Sequence, residues 1–366
     1  MTAPHEARYY ESLPGNKVLC TLCPHDCRVP DGGRGACAVR YNSGGKLYTL
    51  VYDKVIARGV EPIEKKPLFH FHPGSTAYSI ATVGCSLRCT FCQNWEISQW
   101  PKEHLPKRLN FAGEEEDGEP ICPRLANLEA AIPGEPVTPE QIVKAALDSG
   151  AASIAYTFTE PTIFYELALD TARLAKAQGL HNLFVTSGYI SEAPQRELAA
   201  VLDAANVDLK FFRDESYKRI SRVRLQPILD AIRRYHELGV WLEVTTLIVP
   251  GLNDSDEELR SIAEFIASVC ADIPWHVSRF YPAHQMMDRP PTAVAALRKA
   301  VAIGRAAGLH FVYEGNVPGD RGEDTDCHQC GALLIERYGF YVTANRIRGG
   351  RCPDCGTTIA GIGMNG

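Results

Sequence analysis

The chain has 366 residues and a mass of 40.3 kDa, with a formal net charge of -6 and a pI near 6.0. This length allows one large domain with smaller appendages, and the acidic balance argues against nucleic acid as the main partner, since phosphate binding needs a basic surface. No apolar run reaches the ~18 residues of a membrane span, and residues 1–11 lack the features of a secretory signal. The sequence therefore predicts a cytoplasmic protein with no membrane span.

The thirteen cysteines are unevenly distributed. All except Cys122 and Cys270 fall into three groups along the chain. Disulfide frameworks are typical of short secreted domains, whereas grouped thiols in a chain without a signal peptide indicate metal sites. Each group is therefore a candidate metal centre.

The first group lies in a segment rich in glycine and proline. Its members are Cys20, Cys23, Cys27 and Cys37. Residues 17–40 show no hydrophobic period of their own, so we expect a metal to fix their shape. Four thiolates satisfy either zinc or an auxiliary 4Fe-4S cluster. With short strands predicted between residues 45 and 75, residues 1–75 are predicted to form a Cys-rich module.

Two histidines precede the next cysteine group. His70 and His72 lie on one face if their segment is extended. We expect them to pack, or to form hydrogen bonds close to the metal centre of the second cysteine group, and a two-histidine metal pair is the alternative.

The second group, Cys85, Cys89 and Cys92, has the spacing C-x3-C-x2-C. It follows a predicted apolar strand at residues 77–83. Three thiolates on one tight loop can hold three irons of a 4Fe-4S cube, which leaves the fourth iron without a protein ligand. An iron with a free coordination position can bind a small molecule, so this group predicts chemistry rather than a purely structural site.

This spacing, with the aromatic Phe91 just before the last cysteine, resembles the radical S-adenosylmethionine (radical SAM) superfamily. The resemblance implies that the open iron binds SAM and that one electron cleaves the sulfonium to release a 5′-deoxyadenosyl radical, with the protein binding and orienting the cofactor. It also implies a one-electron donor such as a flavodoxin or ferredoxin.

A repeat of helices and strands begins at residue 138, after an acidic, proline-rich stretch at about 100–137 that we interpret as a surface insertion. Helices are predicted at residues 139–149, 161–178, 192–204, 226–238, 254–270 and 292–307. Strands are predicted at residues 153–158, 182–186, 206–211, 241–249, 275–280 and 310–313. Such alternation predicts parallel strands joined by right-handed crossovers. Residues 76–316 are thus predicted to form a partial (β/α) TIM-type barrel of α/β class, with chemistry at the carboxyl ends of its strands.

Several of these strand ends carry polar residues that match radical SAM motifs. The resemblance implies cofactor binding by Phe91, Glu160, Thr186, Asp208 and Lys210. Glu160 matches the second half of a Gly-Gly-Glu-Pro element, although a glutamate favoured at a helix start is an alternative. Asp208 and Lys210 match an Asp-Leu-Lys element, although a structural ion pair is an alternative. Glu243 and Arg279 are further inward candidates, and no catalytic residue is assigned.

The third group consists of two C-x2-C-G knuckles separated by a predicted hairpin. Its members are Cys327, Cys330, Cys352 and Cys355. This pattern predicts a zinc-ribbon-like module at residues 317–366 with a tetrathiolate zinc. A rubredoxin-like iron or a second auxiliary cluster is the alternative.

Taken together, segments 22–27, 35–40, 92–95, 156–166 and 208–210 and the terminal knuckles resemble the radical SAM member of the AmmeMemoRadiSam system. That family is similar to pyruvate formate-lyase activating enzymes. The resemblance implies Memo-like and AMME-type partner proteins and hydrogen abstraction from a backbone glycine of a partner protein or from a small molecule. The alternative function is a non-catalytic, metal-dependent binding or redox-sensing protein.

Overall fold

A computed structural model describes residues 4–105, 125–317, 319 and 321–366 of the chain. Cys122 and half of the predicted insertion, residues 106–124, lie outside the described residues. No helix in the described ranges is long and apolar enough to cross a bilayer.

The described residues form nineteen strands and ten α-helices, numbered here in chain order. The strands are β1 (His5–Glu6), β2 (Tyr10–Leu13), β3 (Lys17–Cys20), β4 (Cys27–Val29), β5 (Arg40–Ser43), β6 (Lys46–Thr49), β7 (Lys54–Val55), β8 (Ala57–Pro62), β9 (Thr76–Ala81), β10 (Glu135–Pro136), β11 (Ser153–Tyr156), β12 (His181–Thr186), β13 (Ala204–Asp208), β14 (Trp241–Ile248), β15 (Trp275–Arg279), β16 (Val312–Gly315), β17 (Thr325–Asp326), β18 (Leu333–Tyr338) and β19 (Tyr341–Asn345). The helices are α1 (Trp95–Ser98), α2 (Trp100–His104), α3 (Leu125–Ala131), α4 (Pro139–Asp148), α5 (Tyr165–Ala177), α6 (Glu192–Ala199), α7 (Asp214–Ser216), α8 (Gln226–Glu237), α9 (Asp256–Val269) and α10 (Val294–Ala306).

An eight-stranded sheet forms the centre of the fold. Its strand order is β16-β15-β14-β13-β12-β11-β9-β8, and all neighbours are parallel except β8, which runs antiparallel to β9. All four residues of β11 are buried, as expected for a parallel strand covered on both faces. The predicted α/β class with a mainly parallel central sheet is confirmed.

The strand order follows the order along the chain without reversal. A sheet wound in one direction agrees with a partial barrel, and that closure remains a prediction. Two features were not predicted. β8 adds an antiparallel edge strand and brings the sheet to residue 57, before the predicted barrel start at residue 76. A π-helix also occupies residues 217–221.

Smaller sheets flank the central one. In the N-terminal part, strands β1, β6 and β5 form one sheet and β2, β3 and β4 another. This part is joined to α5 by a buried ion pair in which Arg40 lies 2.5 Å from Glu166. Near the C-terminus, β17, β18 and β19 form a three-stranded sheet that carries the third cysteine group. One cysteine-bearing segment thus precedes the central sheet in the chain, and another follows it.

Candidate active site

The loop that carries the second cysteine group follows β9 directly and is fixed by backbone contacts. Gly84 adopts φ +104°, a conformation that favours glycine. A Cβ built on Gly84 would come within 2.9 Å of Val39 Cγ1 and 3.4 Å of the Cys37 carbonyl oxygen. The loop therefore lies against the N-terminal cysteine segment, as close as a residue without a side chain allows.

Each thiol of this loop has a hydrogen-bonding neighbour. The backbone N–H of Leu87 donates to Cys85 Sγ at 3.3 Å. The Cys89 thiol donates to Ser221 Oγ at 3.2 Å, and Cys92 Sγ lies 3.3 Å from Ser98 Oγ. Such polar contacts to ligand sulfurs are a feature of iron–sulfur sites.

Burial raises the pKa of the Cys85 thiol to about 12 and also raises the pKa of Cys89. Because thiolates are the form that binds metal, a cation must stabilise these groups before they deprotonate at neutral pH. The three sulfurs do not all converge as the ligands of a single ion would. Among the described residues, only the C-terminal cysteine group has all its ligand atoms within 4.8 Å of one another.

Asp208 and Lys210 lie at the carboxyl end of β13, beside Cys89. Lys210 Nζ lies 2.6 Å from Asp208 Oδ2, and the lysine side chain is only 14% exposed. Burial lowers the pKa of Lys210, but the nearby Asp208 carboxylate and Cys89 outweigh it, so the pKa is raised overall. The backbone of Lys210 is fixed as well, because its N–H donates to the Tyr217 hydroxyl at 2.8 Å and its carbonyl accepts from Asn253 Nδ2 at 2.7 Å. A permanently charged, well-anchored ammonium group therefore stands next to the cysteine loop.

Glu160 lies at the carboxyl end of β11 and joins it to the end of β12. Its Oε1 accepts from Thr162 N, Thr162 Oγ1 and Thr186 Oγ1 at 3.1, 2.7 and 2.7 Å. Its Oε2 accepts from the backbone N–H and the hydroxyl of Ser187 at 2.8 and 2.6 Å. A carboxylate offers about four lone-pair positions, so these donors occupy Glu160 fully. The glutamate also caps a short 3-10 helix, which agrees with the helix-start alternative.

Phe91 is buried and packs edge-on against Phe211, with ring centroids 6.0 Å apart. The following residues tie the loop to its surroundings. Asn94 Nδ2 donates to the Phe158 carbonyl oxygen at 2.8 Å, which connects the cysteine loop to the end of β11. Lys102 belongs to α2, and its Nζ donates to the Leu87 carbonyl oxygen at 2.6 Å. Neither Lys102 nor Ser221 was predicted: Lys102 belongs to no motif, and Ser221 reaches the loop from a segment 132 residues further along the chain.

His70 packs in the core, as expected, but at the base of the sheet rather than close to the cysteine loop. His70 Nδ1 lies 2.7 Å from the Ala360 carbonyl oxygen and Nε2 lies 2.5 Å from the Tyr313 hydroxyl. Its backbone N–H donates to Glu243, near the start of β14 and thus at the edge opposite the cysteine loop. His72 instead stacks on His181, with ring centroids 4.5 Å apart.

Glu243 is correspondingly a structural carboxylate at the base of the sheet, not a group at the carboxyl ends of the strands. It accepts from the backbone N–H groups of Phe69 and His70 and lies 2.7 Å from His276 Nε2. Arg279 ends β15, and its Nε donates to the Thr292 carbonyl oxygen at 2.8 Å. Arg279 therefore fixes the chain after β15.

The C-terminal cysteines converge tightly. Cys327 Sγ lies 3.6 Å from Cys355 Sγ, and Cys330 Sγ lies 3.7 Å from Cys352 Sγ. Each knuckle is closed by a glycine N–H, from Gly331 or Gly356, that donates to the carbonyl oxygen of its first cysteine. This arrangement can bind one metal ion.

Comparisons with known proteins identify the family. The family model of the radical SAM superfamily matches residues 79–266, which include the second cysteine group and the segments bearing Glu160, Thr186, Asp208 and Lys210. An uncharacterized protein of Methanocaldococcus jannaschii is 40% identical over 357 residues, covering 97% of this chain and 98% of that protein. The pyruvate formate-lyase-activating enzyme of Clostridium pasteurianum is 26% identical over 192 residues, covering 51% of this chain and 67% of that enzyme.

Among solved structures, a domain of a pyruvate-formate lyase-activating enzyme from Bacteroides vulgatus matches with a TM-score of 0.39 and 19% identity, covering 45% of this chain and all of that domain. The family match extends over half of the chain. The chain belongs to the radical SAM superfamily and is an enzyme that resembles the pyruvate formate-lyase activating enzymes.

Proposed function

We propose that this enzyme holds a 4Fe-4S cluster with Cys85, Cys89 and Cys92, binds SAM at the open iron, and abstracts a hydrogen atom from a substrate. One observation carries the proposal: three thiols of a single loop, which do not converge as a single-ion site does, lie beside the partly buried ammonium group of Lys210. The bound cofactors supply the 5′-deoxyadenosyl radical by one-electron cleavage of the sulfonium. The protein must bind, orient and shield them.

Lys210 is the residue we assign to the cofactor's carboxylate. Its ammonium group already pairs with Asp208 at 2.6 Å, which holds it in place before the cofactor arrives. A fixed ammonium can form a charge-assisted hydrogen bond to a second carboxylate without further ordering of its side chain. Asp208 is thus the positioning residue of this pair.

Glu160 and Thr186 have a different role in this proposal. The Glu160 oxygens are already saturated by donors from Thr162, Thr186 and Ser187. We infer that Glu160 and Thr186 shape the cofactor site by holding the ends of β11 and β12 together. Phe91 contributes an apolar wall next to the loop, where it packs on Phe211.

The relatives' names suggest the substrate class. An enzyme similar to activating enzymes of pyruvate formate-lyase is expected to take its hydrogen atom from a protein partner, and a backbone glycine is the position we propose. A small molecule is the alternative substrate. A flavodoxin or ferredoxin would supply the electron, and Memo-like and AMME-type proteins remain the predicted partners.

The C-terminal group fits zinc. Four sulfurs around a zinc ion stand about 3.8 Å apart, because the Zn–S bond is about 2.3 Å and the geometry is tetrahedral. The distances of 3.6 and 3.7 Å support a single tetrahedral ion at this site, and zinc is the ion we propose. Metal analysis should find about one zinc per chain that the Cys355→Ser variant loses, whereas iron at this site would overturn the assignment.

The central test is SAM cleavage. The full chain is reconstituted anaerobically with iron and sulfide and reduced with dithionite in the presence of SAM, and 5′-deoxyadenosine is measured by chromatography. We expect it to form, and single serine substitutions of Cys85, Cys89 or Cys92 should abolish it. Cys270→Ser is the matched control, because Cys270 belongs to none of the three groups.

A cluster without SAM cleavage would contradict the enzymatic proposal. If the reconstituted protein carries a cluster at the loop but produces no 5′-deoxyadenosine under strong reduction, the non-catalytic binding or redox-sensing alternative replaces the enzymatic one. Where cleavage occurs, transfer of deuterium from a deuterated candidate partner protein into 5′-deoxyadenosine would identify the substrate.

A further inference from the structure

We propose that Cys20, Cys23, Cys27 and Cys37, the N-terminal cysteine group, bind a polynuclear iron–sulfur cluster rather than zinc. The sequence alone allows both metals, because four thiolates satisfy either. This proposal goes beyond SAM cleavage and does not depend on it.

The spacing of the sulfurs separates the two possibilities. The C-terminal group shows what a zinc-sized site looks like in this protein, with all four sulfurs within 4.8 Å of one another. Across the described ranges, no three sulfurs of the N-terminal cysteine group meet that limit. A cluster distributes its thiolates over two or more irons bridged by sulfide, so its ligands stand farther apart than those of one ion.

The four thiols nevertheless face a common space. Cys20 and Cys27 are direct partners across the antiparallel pair β3–β4. Gly35 leaves room between two of the sulfurs, since a Cβ built there would lie 3.7 Å from Cys27 Sγ and 3.9 Å from Cys37 Sγ. Both distances are those of ordinary van der Waals contact, so Cys27 Sγ and Cys37 Sγ lie next to the same residue.

The surroundings of the sulfurs also suit a cluster. The backbone N–H of Ala36 donates to Cys27 Sγ at 3.3 Å, in the same way that Leu87 N–H donates to Cys85 Sγ in the second group. Hydrogen bonds to ligand sulfurs tune the potential of iron–sulfur clusters. Cys20 and Cys37 are buried, which shields a cluster from water and oxygen.

The N-terminal cysteine group lies directly behind the second group. The carbonyl oxygen of Cys37 is 3.4 Å from the position of a Cβ on Gly84, the residue that precedes Cys85. From the other side, His25 Nε2 lies 2.8 Å from the Ser86 carbonyl oxygen. Two clusters in these positions would be neighbours, so their unpaired electrons are expected to interact when both are reduced.

The test removes the second group and asks what iron remains. The full chain carrying Cys85→Ser, Cys89→Ser and Cys92→Ser is reconstituted anaerobically with iron and sulfide. We expect residual iron and sulfide, about two or about four of each per chain depending on the cluster type, together with one zinc at the C-terminal group. Adding Cys27→Ser should remove the residual iron and leave the zinc, whereas adding Cys270→Ser should remove neither.

Two outcomes would overturn the proposal. One is a triple variant with no residual iron and two zinc ions, which would make the N-terminal cysteine group a zinc site. The other is a triple variant with no residual iron and a single zinc, which would leave the four thiols without metal. Retained zinc at the C-terminal group reports that the variant is folded.

If the triple variant fails to fold, the comparison moves to the unmodified chain and Cys27→Ser. The unmodified chain should contain one cluster more than Cys27→Ser, and its reduced EPR spectrum should show spin coupling that the variant lacks. Equal iron contents in the unmodified chain and in Cys27→Ser would contradict the proposal. The iron content is measured without any turnover. A protein that fails to cleave SAM would therefore still show whether the N-terminal cysteine group binds iron, so failure of this proposal and failure of the proposed function can be told apart.

Discussion

Lys210 is the residue on which the proposed cofactor site most directly depends. Its ion pair with Asp208 fits either a purely structural bridge or a group held ready for a ligand. Lys210→Met should weaken SAM binding about 10- to 150-fold, since a hydrogen bond to a charged group contributes about 1.5–3 kcal/mol. Calorimetric titration of the anaerobically reconstituted protein with SAM measures this change.

Lys218 offers a matched control for that substitution. It also pairs with an aspartate, Asp214, at 2.5 Å, but its side chain is 60% exposed and lies on the surface. Lys218→Met should bind SAM like the unmodified protein. If Lys210→Met also binds normally, the Asp208–Lys210 pair is structural and the assignment of Lys210 to the cofactor is incorrect.

Ser221 is a residue whose contact only the fold brings about. Its hydroxyl lies 3.2 Å from Cys89 Sγ and would become the donor once Cys89 binds iron as a thiolate. A donated hydrogen bond stabilises the more negative, reduced cluster, so Ser221→Ala should lower the reduction potential by roughly tens of mV. Redox titration followed by EPR measures it. Ser261→Ala, on the exposed side of α9, should cause no shift, and an unchanged or raised potential in Ser221→Ala would contradict the prediction.

At the scale of elements, the contact between the cysteine loop and the N-terminal segment depends on Gly84. Gly84→Ala imposes a positive φ on a residue with a Cβ, which costs about 1–2 kcal/mol, and the new Cβ would lie 2.9 Å from Val39 Cγ1. Overpacking adds about 1–3 kcal/mol. We therefore expect the free energy of unfolding to fall by about 2–5 kcal/mol, measured by urea denaturation.

Gly150 separates these two contributions. It also has a positive φ, +71°, but no atom lies within 4 Å of a Cβ built on it. Gly150→Ala should therefore show the backbone cost alone, and Gly84→Ala should lose more stability and more bound iron. Equal losses in the two variants would mean that the loop does not pack on the N-terminal segment as described.

At the scale of the whole molecule, His70 joins the base of the central sheet to the C-terminal segment. Its ring contacts the Ala360 carbonyl oxygen and the Tyr313 hydroxyl. Burial lowers the pKa of His70 to about 4, from 6.5, although the nearby Glu243 opposes the shift. A neutral ring is therefore part of the folded state.

The sign of the pH dependence follows from that shift. The unfolded chain takes up a proton on His70 near pH 6.5, before the folded chain does, so this contribution to stability is complete above pH 6.5 and is lost as the pH falls towards 4. The loss is at most about 3 kcal/mol. His70→Gln, which cannot titrate, should flatten the fall in melting temperature between pH 7 and pH 5. His236→Gln, on α8, is the control and should show the same dependence of melting temperature on pH as the unmodified protein. If His70→Gln also keeps that dependence, the prediction is wrong.

Most of the architecture could be read from local patterns. The alternation of helical and strand periods predicted the parallel strands, and the strand at residues 153–158 differs from β11 only at its end. β8 was not identified as part of this sheet, because an antiparallel edge strand owes its position to its partner β9 rather than to its own sequence. The π-helix at residues 217–221 likewise has no periodic signal.

For the candidate site too, some features could be predicted from local sequence and others depended on packing. Cysteine spacing is a local property, so the chain alone identified the three cysteine groups and the superfamily to which the second belongs. Spacing along the chain does not fix the distance between sulfurs in space. Among the described residues, packing brought the four C-terminal sulfurs together as a single-ion site and did not do so for the other two groups. Packing also placed Lys210 beside Cys89, saturated Glu160 and moved His70 to the base of the sheet. Residues far apart in the chain come into contact only when the elements that carry them pack together, and local sequence patterns do not predict such contacts.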